Sequence, residues 1–303
     1  MIQPPSPEAY SNLPPKRTLE LVGTKEAGKS SSAGENRVEL VEEDWSEIMI
    51  SHLSGGFAQH KKEEFQLSNG SIVHIASAPS LTPMDMVDLS WGRNDATGHC
   101  IWTGARFFLD ILIPALGQLF IDRSILELGS GTGLVGIAIA KLFQLKELIL
   151  TDASESALEL CRYNCALNEG SIIIGVEELT WGESLLTCND EQSSTLRTFD
   201  TVLATDVLYD IAAWEPLLVT ASKSLNANNG VFLVSHVPRA ALPDGCVAES
   251  LESHLIQVAS QHHFRLVHTY QPSNFSTILD DWESLQERGV AIFEFQKMTV
   301  IND

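Results

Sequence analysis

At 303 residues and 44% apolar composition, the chain can build one full-sized α/β core with extensions, or two small domains. It has no run near the ~18 apolar residues a membrane span requires, and its first twenty residues lack the apolar segment of a secretory signal. A formal net charge of −21 disfavours phosphate backbones, so direct nucleic-acid binding is not expected, whereas a basic protein partner would be attracted.

Residues 1 to about 60 are rich in Pro, Ser, Gly and Glu without sustained periodicity, and read as a disordered or loosely docked tail. Within it, VELVEEDWSEIMISHL (38–53) has the pattern of a short helix. Alternating apolar residues on both sides of Asn69-Gly70 predict a β-hairpin within 63–79, and 81–99 reads as a polar connector.

From Trp102 helices and strands alternate. GARFFLDILIPALGQLF (104–120) reads as one apolar helix, SILEL (124–128) as a strand, and LVGIAIAKLF as the helix after a glycine-rich turn. ELILTD (147–152) is a second strand, ESALELCRYNCALN a helix, SIIIGVEEL (171–179) a third strand and FDTVLATD (199–206) a fourth. WEPLLVTASKSL is helical, GVFLVSH (230–236) a fifth strand, and LESHLIQVASQH a helix leading into FRLVHTY; VAIFEFQK (290–297) closes the order. Residues 61–303 therefore predict a doubly wound, mostly parallel, seven-stranded Rossmann-like sheet with helices between its first five strands. Only a short loop joins the last two strands, which predicts an antiparallel pair at one edge.

In such a sheet the ligand sits beyond the carboxyl ends of the strands, where strand order reverses. The first βα turn is Glu127-Leu128-Gly129-Ser130-Gly131-Thr132-Gly133, and Asp152 ends the second strand, placed to accept both hydroxyls of a ribose. Gly131 to Gly136 also match GxGxxG, so a dinucleotide competes for the site. Glu127 at the strand end would repel a pyrophosphate and favour the sulfonium and ammonium groups of S-adenosylmethionine, which makes that the preferred ligand.

Other chemistry has less support. The five cysteines form no CxxC pair; Cys161 and Cys165, four apart on a helix, suit a pair of small buried residues better than a metal half-site. Nine histidines include no HxxxH or HExxH spacing, and structural roles are the default for His236, His262 and His263. No GxSxG supports acyl transfer. Asn164 and Asn168 are expected to satisfy local backbone, and Arg239 fits a substrate loop, a helix cap or a surface charge equally well.

The motifs ILELGSGTGLVGIAIA, LTDASESALELCRYNCALN, VEELTWGESL and FDTVLATDVLYD, with IWTGARFFLDIL upstream, resemble in order and spacing the methyltransferase-like family 16 protein-lysine methyltransferases. The resemblance covers about 100–240 and implies S-adenosylmethionine-dependent methylation of a lysine on another protein. It further implies that Trp102 covers the methionine end of the cofactor and that Gly129 and Gly131 touch it through backbone, with Ser130 between them and Glu127 nearby. Asp152 would hold the ribose and Trp181 would lie on the adenine. Thr205, where the family often has Ala, makes a backbone contact, and Asp206 and Tyr209 match its Asp-x-x-Tyr motif on the substrate side. Against these stand ordinary core roles for Trp102 and Trp181, and turn capping for Asp206. As an acceptor-side group Asp206 is expected to be an exposed carboxylate, able to hold an ammonium and too weak to act as a strong base. Methylation of another acceptor and a non-catalytic cofactor-binding module are the remaining alternatives. A monomer in the cytoplasm or nucleus is expected.

Overall fold

The computed structural model describes residues 60–78, 97–168, 172–190 and 193–298, apart from 228, 243–245, 247 and 278. The chain divides into two units, 1–57 and 58–303. The tail, its expected helix at 38–53 and most of the 81–99 connector lie outside the described residues.

The second unit begins with the hairpin β1 (Lys61–Gln66) and β2 (Ile72–Ser77). Its turn is longer than the two-residue turn that Asn-Gly alone favours. Leu67 and Ser71 still pair backbone to backbone, leaving Ser68-Asn69-Gly70 as the loop, with Gly70 at φ 83°. Asn69 Oδ1 accepts the Ser71 N–H at 2.9 Å and fixes the loop.

The main sheet contains β3 (Ser124–Leu128), β4 (Glu147–Asp152), β5 (Ile174–Glu178), β8 (Thr201–Thr205), β9 (Val231–His236), β10 (Phe264–Tyr270) and β11 (Ala291–Lys297). Its order is β10-β11-β9-β8-β3-β4-β5, parallel except for β11, which is antiparallel to both β9 and β10. The reversal lies between β3 and β8, where successive strands are laid down in opposite directions. Helices α1 (Thr103–Asp110), α2 (Leu134–Leu142), α3 (Glu155–Leu167), α4 (Trp214–Ser224), α5 (Leu251–Gln261) and α6 (Trp282–Glu287) complete the unit. Side chains alternate along each strand, so Ile125, Leu203, Leu233 and Ile292 enter one core with α1 and α2. Leu126, Val202, Phe232 and Phe293 enter the other with α4 and α5.

Two sequence expectations are corrected. The helix expected over 104–120 is α-helical only to Asp110, then turns π-helical over Leu112–Leu116 and 3₁₀ over Gly117–Leu119. Pro114 has no N–H to give the Asp110 carbonyl, and its ring crowds that position; the Leu116 N–H reaches Ile111 O at 3.3 Å instead. Between β5 and β8 the described residues form no helix. They form a second hairpin, β6 (Leu186–Asp190) and β7 (Ser193–Leu196).

Of the two amides expected to satisfy local backbone, Asn164 and Asn168, only Asn168 does so, and once, its Nδ2 donating to Asn164 O at 2.7 Å; the other bonds of both go to distant segments. Asn164 Oδ1 accepts Ala76 N–H at 2.8 Å and its Nδ2 donates to Ala76 O at 3.0 Å. Asn168 treats His74 in the same way, at 2.9 and 2.6 Å. Four residues of helix rise about 6 Å and two residues of strand about 6.6 Å, so two amides one helical turn apart match alternate residues of an extended chain. With Lys141 Nζ on Ile72 O and Ala78 N–H on His99 O, the outer edge of β2 is hydrogen-bonded from Ile72 to Ala78 by groups outside the hairpin.

Candidate active site

The carboxyl ends of β3, β4 and β8 open into a cavity of about 340 Å³. After β3 the chain turns through Gly129, Ser130 and Gly131. Ser130 N–H bonds Thr151 O at 2.8 Å, and a Cβ on Gly131, at φ 50°, would stand 2.8 Å from Gly98 O. The turn therefore needs glycine twice over, for its dihedral and for the approach of the 97–101 segment. Asp152, at the end of β4, reaches across: Oδ2 accepts Gly131 N–H and Oδ1 accepts Ser154 N–H, both at 3.0 Å. Trp181 lines the adjoining wall, close against Gly129.

Opposite lies the start of α1. Trp102 holds its N-cap position without a capping side chain, and its indole N–H donates to Thr97 O at 2.9 Å. The cap comes from Asp206, whose Oδ2 accepts Gly104 N–H at 2.7 Å. Only glycine fits there, since a Cβ would stand 2.8 Å from Ser235 Oγ and 2.9 Å from Asp206 Cβ. Asp206 follows β8 with φ 60° and donates its own N–H to Ser235 Oγ at 2.8 Å. The expectation of an exposed carboxylate is thus corrected: the Asp206 side chain is 1% exposed and forms a salt bridge to Arg239. Burial raises its pKa, while the charge of Arg239 and the Gly104 N–H oppose that rise. Arg239 also donates to Asp206 O at 3.2 Å and stacks on Trp102, 4.9 Å from the ring centroid. Tyr209, 44% exposed, completes the mouth.

Nine of the ten residues singled out in the sequence line this one cavity: Trp102, Gly129, Ser130, Gly131, Asp152, Trp181, Thr205, Asp206 and Tyr209. Glu127 does not. Sharing a strand face with Ile125, it points into the core under α2, fully buried, with its carboxyl against the Gly136 backbone. Burial first, and the Asp152 charge second, push its pKa to about 8, so it is uncharged at neutral pH. The argument that its charge favours a sulfonium therefore fails. Thr205 Oγ1 donates to its Oε1 at 3.4 Å, which gives that hydroxyl a structural role. Cys161 packs beneath Gly133, and its contact with Cys165, reinforced by burial, keeps the thiol protonated. His236 is buried edge-on to Trp214, and burial lowers its pKa to about 4.

The sequence did not single out Thr97, Gly98, Cys100 and Ile101, which form one wall of the cavity. Their only signal is adjacency to Trp102. Arg239, left open in the sequence between a substrate loop, a helix cap and a surface charge, is brought by the fold to Asp206, 33 residues away.

Among solved structures, the CcbJ methyltransferase of Streptomyces caelestis superposes with a TM-score of 0.45 at 15% identity, covering 71% of this chain and 97% of that one. The mouse protein-lysine N-methyltransferase EEF2KMT is 33% identical over 172 residues, 52% of this chain and 45% of its own. For the protein-lysine N-methyltransferase EFM3 of Chaetomium thermophilum the values are 30% over 140 residues, 46% and 41%. The histone-arginine methyltransferase METTL23 of Xenopus laevis is 34% identical over 123 residues, 39% and 44%. The chain thus spans less than half the length of these curated relatives. The lysine methyltransferase family model matches residues 87–254, which hold every strand and turn that lines the cavity, and the chain belongs to that family.

Proposed function

We propose that this chain is an S-adenosylmethionine-dependent methyltransferase acting on a lysine side chain of another protein. The observation that carries the proposal is the charge of the cavity. Asp152 lines it with its charge, Asp206 lines it paired to Arg239, and no Lys, Arg or His lines it among the described residues. That lining suits a cationic sulfonium and is unsuited to a pyrophosphate, which argues against the dinucleotide. The volume is within the usual range for small-molecule sites, and glycines at the β3 turn leave the backbone open to close approach.

On this reading Asp152 takes the ribose hydroxyls, and Trp181 lies against the adenine. Gly129, Ser130 and Gly131 offer backbone groups, while Trp102 and Thr205 border the methionine end. When bound, S-adenosylmethionine supplies a methyl group that passes in line to an acceptor lone pair while the bonding electrons stay on sulfur. The chain's own contribution is alignment and exclusion of water. Tyr209 walls the acceptor entrance, and Asp206 fixes the start of α1 on the acceptor side. A lysine amine, with an ordinary pKa of about 10.4, must give its proton to water before it attacks. The net charge of −21 favours a basic protein as acceptor.

The test is methyl transfer from radiolabelled S-adenosylmethionine into a lysate lacking this protein, comparing wild type with Asp206→Asn. A labelled band that disappears in the variant and yields methyllysine on hydrolysis supports the proposal. Methylarginine in that band would move the acceptor to the chemistry named for METTL23. No band, with cofactor binding intact by calorimetry, would point to a non-catalytic module.

A further inference from the structure

We propose that Arg239 is a positioning residue that neutralises Asp206, so that the acceptor enters as a free amine and is not captured as an ammonium ion. The inference rests on the lysine reading above and changes one part of it: Asp206 does not by itself hold the incoming cation.

Both carboxylate oxygens are already engaged. Oδ2 takes Gly104 N–H, Oδ1 takes the Arg239 guanidinium, and Arg239 also bonds the Asp206 carbonyl. The guanidinium is held on its other side by the face of Trp102, a wall of the same cavity. With the Asp206 side chain 1% exposed and the Arg239 side chain 32% exposed, water reaches the pair only from the arginine side. The other charged and titratable groups around it do not replace Arg239. His236, at the end of β9, is kept neutral by burial, and Arg288 sits on Thr103 Oγ1 at the start of α1. Tyr209 stands at the mouth, and Asp152 lies in the far wall.

An unpaired carboxylate beside the transfer point would have two opposed effects on a lysine. It would attract the ammonium, and it would stabilise the protonated form, which has no lone pair to attack with. A guanidinium on that carboxylate removes the attraction and the stabilisation together. The proton then leaves to bulk water before the amine reaches the cavity. Arginine suits the role because it stays protonated at any pH the protein meets and reaches Oδ1 and the carbonyl at once.

The experiment uses propylammonium chloride as the lysine side-chain probe and reads the Gly104 amide, which hydrogen-bonds Asp206 directly, in ¹⁵N-glycine-labelled full-length protein. In wild type, propylammonium is expected to leave that amide unshifted. In Arg239→Gln it should produce a saturable shift, with binding at least tenfold tighter than in wild type. Arg239→Met keeps an aliphatic chain on Trp102 and should behave in the same way, so either neutral variant decides the question. Arg239→Lys keeps the cation and should stay close to wild type. Equal propylammonium binding in wild type and neutral variants overturns the proposal, as does a lysine variant that binds like the glutamine one. In methylation of the acceptor protein, the acid limb of kcat, which reports the bound complex, should move about one pH unit upward in Arg239→Gln, and an unmoved limb also counts against the proposal. Failure of the lysine reading would appear separately, as methyl groups on another acceptor, with the Gly104 shifts unaffected.

Discussion

Asn164→Ala should destabilise the protein out of proportion to the small size of the change. Asn164 is fully buried and makes three hydrogen bonds to backbone distant in sequence: with Ala76 N–H and Ala76 O in β2, and with Thr132 O in the glycine-rich turn. Alanine leaves those three groups without partners where water does not reach them. At about 1 kcal/mol net for each bond, the loss is about 3 kcal/mol. For a domain of this size that corresponds to a fall of roughly 6–12 °C in Tm. Equilibrium urea unfolding followed by circular dichroism should show a lower midpoint with an unchanged m-value. Asn164→Asp, which keeps an acceptor for Ala76 N–H but turns carboxylate lone pairs toward two carbonyls, should cost at least as much at neutral pH. Asn168→Ala should cost less, about 1 kcal/mol, because water can replace its bonds to half-buried His74, leaving the bond to Asn164 O as the main loss. A loss below about 1 kcal/mol for Asn164→Ala would refute the idea that these amides carry the docking of β2 onto α3.

Three other substitutions test the site and its support. Asp152→Ala removes a carboxylate placed for two ribose hydroxyls, and calorimetry should show S-adenosylmethionine affinity falling roughly 100-fold or more; retained affinity would mean the pocket is misassigned. Asp206→Asn keeps an oxygen for Gly104 N–H, so cofactor affinity should hold while kcat falls on the order of 100-fold; an unchanged rate would remove Asp206 from the chemistry. Glu127 titrates near pH 8 when folded, above its ordinary value of 4.5, so between those pH values the folded state binds more protons than the unfolded state. Stability should therefore decline as pH rises from about 5 to 8, and Glu127→Gln should lose that part of the slope; parallel urea midpoints for the two proteins at pH 5 and pH 8 would contradict the assignment.

Much of the fold was legible in the sequence because its signals are local. Short apolar runs such as ELILTD, period-3.6 runs such as ESALELCRYNCAL and the turn glycines depend on neighbours within a few residues, and they recovered the seven strands of the main sheet. The cavity was legible as well, since a doubly wound sheet places its strand ends together, and Gly129, Gly131, Asp152 and Asp206 all stand at strand ends. The burial of Glu127 was available from the same periodicity: it is two residues from Ile125 and so must share that residue's core face. What only the tertiary structure decided are the pairings between distant segments. Asn164 and Asn168 read as ordinary helical polar residues until β2 is laid beside α3. Arg239 stays open between a substrate loop, a helix cap and a surface charge until the turn after β9 brings it to Asp206 and Trp102. Propensity and periodicity are properties of neighbours along the chain, whereas the partner of a buried polar group is chosen by which segments fold against each other. Sequence therefore located the site, and packing decided which of its charges are already satisfied.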